Sequence, residues 1–324
     1  MGLLVEGNWV DQWYDTSATQ GRFVRSKSAY HHWITADGSA GPSGDSGFRA
    51  EAGRYHLYVS LACPWAHRTL IFRTLKNLED KISLSVVHWL MLSRGWTFDD
   101  GDGVIPDPIN NAENLYELYT AASPRYSGRV TVPVLWDRKS ATIVNNESAE
   151  IIRMLNSAFD ELEGVAPLDF YPEDLREEID ALNDRIYNTV NNGVYRCGFA
   201  TTQEAYEEAV EPLFDTLDWL DRRLARRRYL TGDAITEADW RLFTTLLRFD
   251  AVYFSHFKAN VRRIVDYAHL WPYVRDLYQQ PGIGDTVNFR HIKGHYYGSH
   301  QAINPTGIVP VGPKLDFLAP HDRL

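Results

Sequence analysis

Apolar and polar positions change their period along this chain, and the change divides it. Tyr55-His56-Leu57-Tyr58-Val59-Ser60-Leu61-Ala62 is rich in β-branched and aromatic residues with partial alternation, and predicts a strand. It runs directly into Cys63-Pro64. Proline suits the first position of a helix, and Thr69-Leu70-Ile71-Phe72 with Leu75 and Leu78 supplies a helical apolar face beyond it. A second strand is expected from Ile82 to Trp89, then a polar, Gly- and Pro-rich functional loop from Ser93 to Asn111. A third strand is Val130-Thr131-Val132-Pro133-Val134-Leu135-Trp136, and a helix starts within Asn145-Asn146-Glu147-Ser148-Ala149-Glu150. The order β-α-β-insert-β-α predicts an α/β domain.

Beyond about residue 170 only helical spacing remains. Leu175 to Tyr187, Gln203 to Ala225, Glu237 to Phe249 and Trp271 to Gln279 carry Leu, Ile and Trp three and four residues apart, which predicts an all-α second domain. Thr236-Glu237-Ala238-Asp239 has the form of a capping box. The first 50 residues lack sustained periodicity and read as an irregular arm, and the stretch from Asn288 reads as an extended tail. The expected divisions are an arm over 1–49, an α/β domain over 50–165, a helical domain over 170–290 and a C-terminal extension over 291–324.

Composition narrows the function. The 324 residues are 44% hydrophobic, enough for two cores, and the formal charge of −10 argues against nucleic acid as a main partner, because phosphate binding needs a basic face. Two cysteines, Cys63 and Cys197, cannot make a secreted disulfide framework and point to a reducing compartment. The N-terminus lacks the basic and apolar regions of a signal peptide and has Glu6 where a myristoylation site wants Ser or Thr. No apolar run approaches membrane-spanning length, so the expected location is the cytoplasm, with no membrane partner.

Three features carry chemistry, and each has a plainer reading. Cys63 stands where a strand meets a helix N-terminus, a setting that favours the thiolate, although a lone cysteine is most often a small buried apolar residue. Val132-Pro133 is either a turn with a cis peptide or an ordinary trans edge proline. Glu147-Ser148 at a helix start can bind an ammonium and a carboxylate, or can simply cap the helix.

In this order, and followed by a helical domain, these features resemble the thioredoxin-like half of a glutathione transferase. Leu230-Thr231-Gly232-Asp233 leading into the capping box resembles the helical half of that fold. Ser60-Leu61-Ala62-Cys63-Pro64-Trp65-Ala66-His67-Arg68, Gly95-Trp96-Thr97-Phe98-Asp99, Ser127-Gly128-Arg129-Val130-Thr131-Val132-Pro133, Val190-Asn191-Asn192-Gly193-Val194-Tyr195 and Ile303-Asn304-Pro305-Thr306-Gly307 narrow the match. They are similar to the glutathionyl-hydroquinone reductases, the xi class, over essentially the whole chain.

The resemblance implies reductive removal of glutathione from glutathionyl-hydroquinones, with Cys63 as nucleophile and glutathione as co-substrate rather than bound cofactor. Ala66 fits independently: with no second thiol in the motif, a Cys63 mixed disulfide needs an external thiol to resolve it. By resemblance Trp96, Arg129, Val132, Glu147 and Ser148 hold glutathione, while Tyr195, Tyr253 and Tyr296 line the aromatic-substrate pocket and act in catalysis. Without it, Trp96 reads as a loop anchor, Arg129 as a solvated cation, Tyr253 as helix packing and Tyr296 as a tail anchor. His67 and Arg68, one turn inside the helix, read as supports, and Cys197 as a structural thiol.

No metal is expected, since His291, His295 and His300 have no accompanying Cys or paired carboxylates. Expected partners are glutathione, aromatic glutathione conjugates and a second copy of the chain. An omega-type thiol transferase or dehydroascorbate reductase would share Cys63 and the glutathione site, differing in the second-substrate pocket. A non-enzymatic binding module of the same fold would be expected to lack the nucleophile.

Overall fold

The computed structural model describes residues 2–323. Contacts sort the chain into two compact units. The first holds the chain up to Trp13 with Ser26–Asp169 and Asn288–His295; the second holds Tyr14–Arg25, Phe170–Val287 and the chain from Tyr296 onward.

The first unit is organised by β3 (Tyr55–Val59), all five residues of which are buried. A strand covered on both faces needs no clean alternation, which is why its sequence pattern is only partial. It pairs in parallel with β4 (Ser83–Val86) and antiparallel with β6 (Val134–Asp137), which continues to β7 (Thr142–Asn145). The sheet order β4-β3-β6-β7 is thioredoxin-like. Helix α1 (Pro64–Leu75) makes the parallel crossover from β3 to β4 and packs with α3 (Ser148–Ser157).

The arm read as irregular contains a hairpin, β1 (Leu3–Val5) and β2 (Asn8–Val10), and β1 also pairs with β5 (Gly128–Arg129). Its two-residue turn is Glu6-Gly7, with φ of 47° and 79°. Positive φ at both positions matches the right-handed twist of the flanking strands. Three-residue strands are too short to show a period. The four-residue β7 and the seven-residue α2 (Tyr116–Ala122) also went unread.

The second unit is helical: α4 (Arg176–Ile186), α5 (Gly193–Phe199), α6 (Gln203–Leu224), α7 (Glu237–Arg248) and α8 (Leu270–Tyr278). Every residue of α7 is buried. The capping box forms, with the Thr236 amide donating to Asp239 Oδ2 at 2.8 Å. Asp239 Oδ1 also accepts from the Leu230 amide at 2.9 Å and the Tyr273 hydroxyl at 2.8 Å, so one carboxylate ties α7 to a loop and to α8. After α4 and α7 the helix widens for one turn, closed by Asn192 N–H to Tyr187 C=O at 3.0 Å and by Phe254 N–H to Phe249 C=O at 2.8 Å.

The tail read as extended from Asn288 is instead a helix at its start, α9 (Phe289–Ser299). Gly294 and Gly298 lower its intrinsic propensity and hid it. Packing accounts for Gly294: a Cβ there would lie 2.7 Å from Trp89 Cδ1.

One buried titratable group makes stability depend on pH. His56 on β3 is fully buried, with Nδ1 2.6 Å from Ser83 Oγ and Nε2 2.8 Å from Ser85 Oγ. Burial disfavours the imidazolium and pushes its pKa down to about 4. An unfolded histidine titrates near 6.5, so between pH about 6.5 and about 4 protons bind the unfolded chain preferentially, and stability falls with pH by up to about 1.4 kcal/mol per unit. His56→Gln should flatten this part of the profile relative to wild type. Urea midpoints measured from pH 7.5 to 4.5 would check it; parallel profiles would contradict it.

Candidate active site

Cys63 caps α1. Its backbone is extended (φ −76°, ψ 122°) and Pro64 opens the helix. The Cys63 amide donates to Ser60 C=O at 3.1 Å, and its carbonyl accepts the His67 amide at 3.0 Å, closing the first turn. The half-buried thiol therefore sits at the helix end where backbone N–H groups outnumber acceptors. Its Sγ is 3.7 Å from the Val132 carbonyl oxygen. The Val132-Pro133 peptide is cis, which decides between the two readings of that dipeptide, and Val132 is buried. His67 and Arg68 are buried, and the Arg68 guanidinium lies 4.6 Å over the Trp65 ring.

A second helix start stands in the same unit. Glu147 is the N-cap of α3: Oε1 accepts the Ala149 amide at 3.2 Å and Oε2 accepts the Ser28 hydroxyl at 3.0 Å. The capping reading thus holds for Glu147, and its half-buried carboxylate keeps lone pairs for a further donor. Ser148 is buried, and Arg68 Nη1 donates to its hydroxyl at 3.4 Å, which links α1 to the start of α3.

Trp96 and Arg129 are fixed by contacts of their own. Trp96 is buried, stacks on His295 with centroids 4.8 Å apart, and accepts the Leu115 amide on its carbonyl at 2.9 Å. The anchor reading therefore describes its packing. Arg129 on β5 is half-buried and donates from Nη1 to the Gln12 carbonyl, so it is more constrained than a solvated cation.

The three tyrosines gather in the second unit. Tyr195 on α5, Tyr253 in the wide turn after α7 and Tyr296 on α9 are all buried. The Tyr296 hydroxyl is 2.6 Å from that of Tyr195 and 3.0 Å from that of Tyr253. Burial raises the pKa of Tyr253 and Tyr296 well above the ordinary phenol value, so both are protonated at neutral pH. A chain of hydroxyls can pass a proton along its hydrogen bonds.

Sequence reasoning missed the residues that hold these groups. Arg25 lies 4.7 Å over the Tyr195 ring and donates from Nε to Asn192 Oδ1 at 3.0 Å. In the first unit, Asn146 Oδ1 accepts the amides of Ala29 and Tyr30 at 3.3 and 3.1 Å, holding the chain beside Ser28. Only the placement of Asn146 within the Asn145-Asn146-Glu147-Ser148 run was a signal; Arg25 and Ser28 had none.

Cys197 is buried, and burial pushes its thiol up to about 12, so it is un-ionised at neutral pH. The three tail histidines are hydrogen-bonded separately: His291 Nε2 lies 2.6 Å from Asp102 C=O, His295 Nδ1 2.9 Å from Trp89 C=O and His300 Nδ1 3.1 Å from His256 Nε2. Among the described residues no three His, Cys, Asp or Glu side chains are grouped to hold a metal ion, and no helix is long and apolar enough to cross a membrane.

Known proteins resemble the chain over its whole length. Residues 62–158 match the glutathione S-transferase N-terminal domain family and residues 203–278 the C-terminal domain family. The chain is 60% identical over 324 residues to glutathionyl-hydroquinone reductase YqjG of Escherichia coli (strain K12), covering 100% of this chain and 98% of that one. It is 58% identical over 313 residues to glutathionyl-hydroquinone reductase PcpF of Sphingobium chlorophenolicum, covering 97% and 96%. The glutathione-bound structure of YqjG from Escherichia coli K-12 superposes with a TM-score of 0.92 at 56% identity, over 99% of each chain. The fold of this chain is therefore that of a protein whose structure has been solved with glutathione bound. The chain belongs to the xi class of the glutathione transferase family, the class of the glutathionyl-hydroquinone reductases.

Proposed function

We infer that this chain reduces glutathionyl-hydroquinones to hydroquinones with glutathione as co-substrate, working in the cytoplasm as a homodimer. The observation that carries the reading is the single thiol Cys63 at the start of α1, with Ala66 where a second thiol would close an internal disulfide. Cys197 is no substitute, because burial keeps it protonated. The full-length identity to YqjG and PcpF supports the substrate class.

The reaction proceeds in two exchanges. Attack on the sulfur of an aryl thioether must expel carbon, and an aryl anion is a very poor leaving group. Tautomerisation of the phenol to a ketone, with a proton added to the ring carbon that bears sulfur, removes this difficulty. The Cys63 thiolate then forms a bond to the glutathione sulfur, the carbon–sulfur bond breaks, and the departing enolate becomes the hydroquinone. A second glutathione thiolate attacks the glutathione sulfur of the mixed disulfide, releasing oxidised glutathione and the Cys63 thiolate.

Each side chain has an assigned part. Val132 pairs through its backbone with the cysteinyl unit of glutathione, Glu147 and Ser148 receive the γ-glutamyl end, Arg129 receives a carboxylate and Trp96 borders the tripeptide. Tyr195 moves the proton of the tautomerisation, and Tyr253 and Tyr296 donate hydrogen bonds that orient it.

Three outcomes are expected. Cys63→Ser should lose essentially all turnover with its thermal unfolding unchanged, and wild type given substrate without free glutathione should carry one glutathione adduct, on Cys63; an adduct on Cys197 would reverse the assignment. Glu147→Ala or Arg129→Ala should weaken glutathione binding by about tenfold, the scale of one charge-assisted hydrogen bond, with little change in alkylation of Cys63 by iodoacetamide. Equal losses in both assays would make these residues structural. Tyr195→Phe should slow cleavage of a glutathionyl-hydroquinone by about 10²-fold, the scale of general acid–base catalysis, and leave reduction of a simple mixed disulfide nearly intact. A wild-type enzyme fast on disulfides and inactive on aryl thioethers would instead identify an omega-type thiol transferase.

A further inference from the structure

The second unit contains a cavity of about 590 Å³ between α8, the segment after α7 and the C-terminal stretch Pro310–Ala319, within the size range of small-molecule sites. Its apolar wall includes Trp271, Phe254, Tyr297, Pro310 and Pro313. Five charged side chains reach it: Asp250, Arg263, Arg275, Lys314 and Asp316.

Three of these five are already occupied. Asp250 accepts the Ile264 amide on Oδ1 at 2.6 Å and the Val265 amide on Oδ2 at 3.0 Å. Arg263 forms a two-point ion pair with Asp266, at 2.9 and 2.7 Å. Asp316 Oδ1 accepts the amides of Leu318 and Ala319 at 3.0 and 3.1 Å, leaving only its exposed Oδ2. The acids of the cavity are therefore turned on the backbone.

Arg275 differs. Its guanidinium lies 5.4 Å over the Trp271 ring, its Nε is buried without an acceptor, and among the described residues it has no carboxylate partner. Buried guanidinium nitrogens are normally paired, since leaving one without an acceptor costs its desolvation. Lys314, exposed on the facing C-terminal stretch, also has no ion pair among the described residues. Two cations with spare donors thus border an indole face and two prolines. A planar ring bearing a carboxylate matches both: the ring covers apolar wall, and the carboxylate accepts from the guanidinium fork.

We propose that this cavity binds a small aromatic carboxylic acid, its carboxylate held by Arg275 and Lys314 and its ring packed against Trp271. The proposal is independent of the reaction assigned to Cys63, because none of the residues given a part in that reaction lines this cavity. Isothermal titration of the full chain with 2-naphthoate and with its uncharged counterpart 2-naphthamide tests it. The acid is expected to bind about tenfold or more tightly than the amide, Arg275→Met to erase most of that preference and Lys314→Met to reduce it a few-fold, on the scale of charge-assisted hydrogen bonds. Arg275→Lys should restore part of it, and Cys63→Ser should bind as wild type does. Absence of saturable binding, equal affinity for acid and amide, or binding lost with Cys63→Ser would overturn the proposal. Should Arg275→Met fail to fold, the acid–amide comparison and Lys314→Met still decide.

Discussion

An α-helix begins with backbone N–H groups that its own carbonyls cannot reach, and in the first unit two such beginnings are capped by Cys63 and Glu147. Buried β3 fixes one of them: a strand covered on both faces and paired on both edges leaves the chain one exit, into Pro64 and α1. Cys63 is the residue at that exit, so the strand places it at the helix start. The other beginning follows β7, where Glu147 and Ser148 start α3. Arg68 reaches from the first helix to the Ser148 hydroxyl at the second, so the two starts are tied through one buried guanidinium.

The two thiols illustrate how burial divides chemistry between identical side chains. Cys197 lies within α5 among apolar neighbours, where losing its proton would strand a charge without solvent. Cys63 is half-buried at a helix end. The same desolvation acts on the phenols of Tyr253 and Tyr296 and keeps them as donors. Together with Tyr195 they form a hydroxyl chain in which Tyr296 is the middle member, so the state of each end is felt by the other.

How far the chain could be read depended on the range of the interaction that sets each part. The long helices α6 and α7 and the capping box at Thr236 were plain, because their signals repeat within a few residues. The strand into Cys63 was equally local. The Leu3–Val5 strand was not, since it exists by pairing with Gly128–Arg129, far along the chain. Helix α9 was hidden because Gly294 has poor propensity and is there to admit Trp89, a tertiary reason. In the site, Cys63, Glu147 and Ser148 stood out as motif residues at element boundaries. The supports did not: Arg25 over Tyr195 and Ser28 on Glu147 are set by contacts between segments more than 100 residues apart.

The way the chain alternates between its compact units bears on how such an enzyme can be rebuilt by recombination. Tyr14–Arg25 belongs with the helices although it precedes the sheet, and Asn288–His295 belongs with the sheet although it follows the helices. Joining the front half of one homologue to the back half of another at a single crossover would therefore never exchange one unit cleanly. The piece near each terminus would be mismatched with the body it packs on. Chimeras that respect the fold need several junctions, and natural shuffling of the two halves as interchangeable modules is correspondingly disfavoured.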